Sequence, residues 1–497
     1  MLYESTRMES LPVASAQAIL SGIAPDGGLF VPMNEVTINT KELEKLVDLS
    51  YQARAVFVLK QFLTDFNEEE LRECVEDAYN SKNFDHASIA PLTLLNDNLA
   101  VLELWHGPTY AFKDMALQLL PRLLMKSAEK VGDESDYVIL VATSGDTGKA
   151  ALEGFKDVPK TKILVFYPVE GVSQVQKLQM ITQEGHNVGV VAVEGNFDDT
   201  QNGVKKIFND QEFKARLLEK GHKFSSANSI NWGRLVPQIV YYFSAYLDLV
   251  KTKKISLGQE INFVVPTGNF GNILAGFYAK SMGLPIYKLI CASNQNNVLT
   301  DFINTGVYDR NRTFHKTISP SMDILISSNL ERLLFELSVE PGKVKGWMED
   351  LKRAGRYEID EDLKNKITCN FWAGFSSDLE TKQRIRKIYE NYQYVTDTHT
   401  AVAWDVYEKY RYETGDKHPT VIVSTASPFK FNTSVCEAIY GKNTIEGKSE
   451  LEILKLLAAK TGLEIPKALN QLEQKAIIHN EVCQKEEMLM QVAEFLF

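Results

Sequence analysis

From about residue 96 to 235 the chain alternates short apolar runs with stretches of helical periodicity, and that rhythm leaves few folds open. Tyr137–Ala142 (YVILVA) reads as a buried strand, Thr143–Gly148 (TSGDTG) as a tight loop, and Lys149–Phe155 as a helix. Ile163–Tyr167 is the next strand, Ser173–Glu184 a helix, Asn187–Val193 a strand, and Asp198–Phe208 and Glu212–Leu218 helices. Parallel strands need long crossovers and cover on both faces, so the pattern predicts an α/β fold with a parallel sheet between helix layers.

A second such unit follows. Val236–Leu249 is a long apolar helix, Asn262–Val265 a strand ending at Pro266, and Thr267–Asn272 (TGNFGN) a Gly-rich loop before a helix at Ile273–Met282. Tyr287–Cys291 and Thr420–Ser424 read as further strands, Leu330–Leu337 and Val344–Ala354 as helices, and Lys448–Phe497 as a charged helical tail. Ahead of both units, Ser15–Gly22, Lys41–Leu63 and Asn67–Tyr79 carry helical periodicity. The expected division is an N-terminal domain over 1–95, an α/β subdomain over 96–235, and a larger α/β subdomain with the tail over 236–497.

His106–Asp114 (HGPTYAFKD) sits between an apolar run, Leu99–Leu104, and a helical pattern, Met115–Lys126. Lys113 is therefore placed at a helix start, where unpaired N–H groups and a positive dipole disfavour an ammonium. A lysine with a lowered pKa is a nucleophile of the Schiff-base kind. The plainer reading is a surface lysine on a helix's first turn.

HGPTYAFKD resembles the lysine motif of threonine synthases, fold-type-II enzymes that use pyridoxal phosphate. Further motifs occur in that family's order, from Tyr3–Arg7 (YESTR) and Ala24–Pro32 (APDGGLFVP) to Ser424–Phe431 (STASPFKF). The resemblance implies a tryptophan synthase β-like fold, with two parallel-sheet subdomains and a small N-terminal domain. It implies that Lys113 carries the cofactor, and that O-phospho-L-homoserine and water become L-threonine and phosphate.

A strand that runs through a Gly-rich loop into a helix N-terminus makes an anion site, because glycine lets backbone N–H groups come close. Gly268, Asn269, Phe270, Gly271 and Asn272 resemble the family's cradle for the cofactor phosphate. Thr143–Gly148 resembles its second anion loop, which implies that Ser144 and Thr147 bind the substrate carboxylate. Asp146 stands where many fold-type-II enzymes carry Asn; it reads equally well as a helix N-cap. Asn228–Arg234 (NSINWGR) clusters amides, a hydroxyl and a guanidinium suited to a phosphate dianion, with Ser229, Asn231 and Arg234 as the expected ligands. The alternative is a packed Trp232 corner with a surface arginine.

In relatives a threonine hydroxyl at the position of Thr425 faces the cofactor's ring nitrogen. STASPFKF departs from the commoner T-A-H-P-A-K-F at Ser427 and Phe429, which puts any proton relay at Ser427 in doubt. His399, in Asp397–Thr400 (DTHT), either lines the site or is structural. Arg7 reads best as a salt-bridged arginine.

A net charge of −11 and the lack of a dense basic cluster argue against a nucleic-acid partner. No apolar run has membrane-spanning length, and MLYESTRMES lacks the basic and apolar regions of a secretory leader. Five scattered cysteines without a C-x-x-C pair suggest reduced thiols in the cytoplasm and no metal site. The expected assembly is a monomer or homodimer. Two other functions remain open: a phospho-lyase that eliminates phosphate but releases an oxo acid, and a non-catalytic relative that binds the cofactor and regulates.

Overall fold

The computed structural model describes all residues except Ser144, Gly171, Val339 and Pro341, and the side chain of residue 198. Among the described residues two large sheets stand out. One has five parallel strands in the order Val482–Gln484, Val188–Glu194, Thr161–Pro168, Asp136–Ala142, His222–Ser225. The other has six, in the order Phe371–Phe375, Ile286–Ser293, Ile261–Pro266, Thr420–Ser424, Leu99–Glu103, Leu92–Asn96, with only the last pair antiparallel. Their central strands are apolar on both faces: Val138, Ile139, Leu140 and Val141 are buried, as are Phe263, Val264 and Val265. Such strands satisfy their backbone only inside a sheet covered on both sides.

The sheets do not follow the chain in blocks. Leu92–Asn96 and Leu99–Glu103 precede the smaller sheet in sequence yet belong to the larger one, and Val482–Gln484, from the tail, extends the smaller one. Cuts at 95 and 235 therefore do not separate the two sheets. The tail is also less helical than expected, with helices at Glu450–Thr461, Lys467–Asn470 and Met488–Leu496 around that edge strand. A three-residue strand carries too little periodicity to read from sequence. The continuous helices expected over Lys41–Leu63 and Met115–Lys126 are each broken in two, as Thr40–Leu46 with Tyr51–Phe62, and Asp114–Leu117 with Leu120–Val131. Ser50 caps the second of the first pair, and Pro121 opens the second of the other.

The N-terminal segment is fastened to this frame. Trp232 packs against Tyr3, Phe62 and Tyr278, with ring centroids 5.3, 5.6 and 5.4 Å apart. Arg7 grips Glu331 with both Nε and Nη2, at 3.0 and 3.1 Å, as the salt-bridge reading anticipates. Helix Pro237–Lys251 is buried along almost its whole length. Among the described residues no helix is long and apolar enough to cross a membrane.

Candidate active site

The two Gly-rich loops lie where the sequence puts them, at the C-terminal ends of Asp136–Ala142 and Ile261–Pro266. Such strand ends are where open α/β sheets bind ligands. Phe270 is left-handed (φ 62°) and turns the chain sharply into helix Gly271–Ser281. Among the described residues the N–H groups of 268–273 meet no protein acceptor. Asn272 Oδ1 accepts the Tyr242 hydroxyl at 2.7 Å, while its buried Nδ2 has no partner among the described residues. Unpaired amides, a helix dipole and an orphaned amide donor together fit a phosphate. Gly268 is needed because the Ser321 carbonyl lies 2.7 Å from where a Cβ would be.

In the second loop, Thr143 Oγ1 accepts the N–H groups of Gly145 and Gly148, each at 2.9 Å. Gly145 is the residue before helix Asp146–Phe155, with φ 140°. Any side chain there would also collide with Gln176, because a Cβ would fall on the Gln176 amide group. Asp146 is thus not the cap. Its carboxylate turns inward to Lys430 Nζ (2.9 Å), Gln176 Nε2 (2.8 Å) and, more distantly, Lys113 Nζ (3.8 Å). Thr147 is half-buried on the first turn. Ser144 lies outside the described residues.

Lys113 reaches this point because segment 110–112 pairs with 425–427. Ala111 bridges Ala426, Phe112 N–H donates to the Thr425 carbonyl (2.8 Å), and Ser427 N–H to that of Tyr110 (3.0 Å). Asp114 closes the turn by accepting the N–H and hydroxyl of Thr109 at 2.8 and 2.7 Å. The Lys113 amine is buried and hydrogen-bonded to Ser321 Oγ at 3.3 Å. Ser321 is the same residue that abuts Gly268, so the amine and the GNFGN loop are neighbours. Burial lowers the Lys113 pKa to about 8; Asp146 opposes this, while Arg234 and Lys430 reinforce it. Asp146 is held below the usual carboxylate range, because Lys430 and Lys113 outweigh the opposing effect of burial.

Arg234 is not on the surface. It is 5% exposed, its Nη1 donates to the Ala227 carbonyl at 2.7 Å, and burial lowers its pKa to about 10. No carboxylate among the described residues pairs with it. Ser229 lies on the same loop, its Cβ 3.7 Å from where Gly271 would carry one. Asn231 differs from expectation. Its Oδ1 caps Gly233 N–H, and its Nδ2 donates to the carbonyls of Ile19 and Ser226. Both amide hydrogens are committed, so Asn231 shapes the loop and has no donor left for an anion.

Thr425 is buried, and its hydroxyl makes no protein hydrogen bond among the described residues. His399 Nε2 accepts Ser321 N–H (3.1 Å), which makes its Nδ1 the donor to Asp397 (3.0 Å). The imidazole therefore holds Ser321 in place, a structural role. Ser427 caps the short turn Pro428–Phe431. Sequence reasoning missed Lys430, Gln176 and Ser321. Lys430 was within reach as a lysine inside the apolar stretch SPFKF, where its charge would need a buried partner.

The sequence matches the family models described as threonine synthase N terminus, over residues 2–79, and threonine synthase, C-terminal, over residues 400–489. It is 44% identical to human threonine synthase-like 1 across 87% of this chain, which spans only 59% of that relative's length. It is 40% identical to the threonine synthase of Pseudomonas aeruginosa, covering 89% of this chain and 91% of that one. A crystal structure of PLP-bound threonine synthase from Brucella melitensis superposes with a TM-score of 0.88 at 37% identity, covering 100% of this chain and 99% of the other. With likeness of that degree running along nearly the full length of both the sequence and the fold, the chain belongs to the threonine synthase family.

Proposed function

We propose that the protein is a pyridoxal-phosphate-dependent threonine synthase, converting O-phospho-L-homoserine and water to L-threonine and phosphate. The observation that carries this reading is Arg234, a buried guanidinium close enough to Lys113 to depress its pKa and without a counter-ion among the described residues. A buried cation without a partner is costly until an anion arrives. The unpaired N–H groups of GNFGN offer further anion contacts beside the Arg234 loop, so the pocket suits a phosphorylated cofactor and a phosphorylated substrate together.

In this reading Lys113 would hold the cofactor aldehyde, Gly268–Asn272 its phosphate, and the Thr425 hydroxyl its ring nitrogen. Bound pyridoxal phosphate supplies an electron-poor ring that stabilises negative charge beside the substrate amine. The remaining work is the chain's own. Arg234 and Ser229 grip the substrate phosphate and orient the leaving oxygen. Ser144 and Thr147 take the substrate carboxylate, and Asn231 keeps the phosphate loop in shape. Once the substrate's amine has displaced it from the aldehyde, the Lys113 amine is free to remove the Cα proton and assist the β-proton transfer. The Cγ–O bond breaks and phosphate leaves into the grip of Arg234 and Ser229; protonation at Cγ and addition of water at Cβ then give threonine. Five free cysteines suit a reducing compartment such as the cytoplasm.

A second reading is a phospho-lyase with the same phosphate grip, which would draw on the same buried Arg234. Product analysis with O-phosphohomoserine separates the two: threonine supports the synthase, and 2-oxobutyrate in its place overturns it. The cradle has its own test. A Cβ on Gly271 meets nothing closer than 3.5 Å, so the fold accepts a side chain there. Valine would nonetheless fill the space before the loop's N–H groups. Gly271→Val is expected to fold and to bind pyridoxal phosphate at least about tenfold more weakly, the worth of one charge-assisted hydrogen bond. Equilibrium dialysis checks this, and unchanged affinity would reduce GNFGN to a turn.

A further inference from the structure

One carboxylate serves two lysines in this site, and it serves them unequally. Asp146 Oδ1 takes the Lys430 ammonium at 2.9 Å and the Gln176 amide at 2.8 Å. Its Oδ2 stands 3.8 Å from Lys113 Nζ, beyond hydrogen-bond distance. The Lys430 side chain is 0% exposed, and Nζ is also anchored on the Thr109 carbonyl at 2.9 Å. Among the described residues the only hydrogen-bond partner of Lys113 is the neutral Ser321 hydroxyl, at 3.3 Å, with the Phe112 ring 5.0 Å from Nζ. The charged groups facing it are Asp146, Asp114, Arg234 and Lys430. Asp114 is turned away, with both oxygens engaged by Thr109. Asp146 is therefore the anion that would hold a proton on Lys113, and Lys430 already occupies it.

We propose that Lys430 is a positioning residue that reserves the Asp146 carboxylate and so keeps the Lys113 amine free to act as a nucleophile and base near neutral pH. The proposal rests on the reading of Lys113 as the reactive amine. It assigns a purpose to a fully buried second lysine whose amine is held by Asp146 and the Thr109 carbonyl. It also accounts for an aspartate inside a site built for anions: balanced by Lys430, the carboxylate neither repels the ligands' charges nor ties up the amine. An amine beyond contact distance of the anion gains little from it, so burial governs how readily Lys113 gives up its proton.

The test reads Lys113 reactivity directly. The full chain freed of cofactor is labelled competitively with acetic anhydride from pH 6 to 10, and modification at Lys113 is quantified by mass spectrometry. In the wild type the midpoint is expected near pH 8, the value to which burial lowers this amine. Lys430→Met removes the competing charge, and the midpoint should rise by about one unit, roughly a tenfold loss of Lys113 reactivity at pH 7.5. Lys430→Gln, which keeps a hydrogen-bond donor for Thr109 and Asp146, carries the same expectation should the methionine variant fail to fold. Adding Asp146→Asn to Lys430→Gln removes the anion itself and should bring the midpoint back down. A folded Lys430 variant whose midpoint equals the wild type's overturns the proposal. Borohydride labelling of the cofactor-loaded protein distinguishes the two failures. Label on Lys113 with an unmoved midpoint defeats this proposal alone; label on another lysine defeats the Lys113 assignment with it.

Discussion

Lys113→Ala is expected to leave a folded chain that binds pyridoxal phosphate only reversibly and turns over about 10²–10⁴ times more slowly, the usual contribution of one acid–base group. Folding should survive, because the amine makes one weak hydrogen bond and sits among the positive charges of Arg234 and Lys430. In the loaded wild type, borohydride should fix the label on the peptide containing Lys113, and in the variant nowhere. Lys430 is the informative competitor. Its amine is close by but bound to the Thr109 carbonyl and to Asp146, and an ammonium held that way is a poor nucleophile. Label recovered on Lys430 would overturn the assignment of roles to the two lysines.

What could be read from sequence here was local. Strand, Gly-rich loop and helix lie within some twenty residues of one another, and their periodicities do not depend on distant partners. Hence both Gly-rich loops and most central strands fall where the sequence puts them. The lysine motif was equally plain in the chain, but its chemistry was not. Its position at a helix start hinted at a lowered pKa; the larger cause is burial, and the modulating charges come from Asp146, Arg234 and Lys430 on other segments.

The misreadings share one origin. Asp146 looked like a cap because caps are judged from neighbours in sequence, whereas its partner Lys430 follows the last strand of the other sheet. Asn231 looked like a ligand because its donors had no visible use; the carbonyl of Ile19, from the N-terminal segment, takes one of them. The domain cuts failed to follow the sheets for the same reason. Strand Leu99–Glu103 pairs with Thr420–Ser424, a partner that no local pattern announces. That pairing also matters for function, since it continues into the 110–112 and 425–427 contact that seats Lys113 beside Thr425.

Arg234→Lys should separate grip on the substrate from grip on the cofactor. The substitution keeps a positive charge but loses the planar fork that meets a phosphate with two parallel hydrogen bonds. Losing one charge-assisted contact costs roughly 1.5–3 kcal/mol, or about ten- to a hundredfold in kcat/KM for O-phosphohomoserine. Pyridoxal phosphate content should stay near that of the wild type, because that phosphate is assigned to Gly268–Asn272. The defect should also deepen as pH rises. Burial already lowers the guanidinium to about 10, and an ammonium starts from a lower ordinary pKa, so a lysine there sheds its charge closer to neutrality. Dialysis for the cofactor and a pH series of kcat/KM for the phosphorylated substrate check each part. Loss of both affinities would move Arg234 into the cofactor site. Loss of neither would show that the buried guanidinium is satisfied by the Ala227 carbonyl and solvent, and would remove the observation on which the synthase reading chiefly rests.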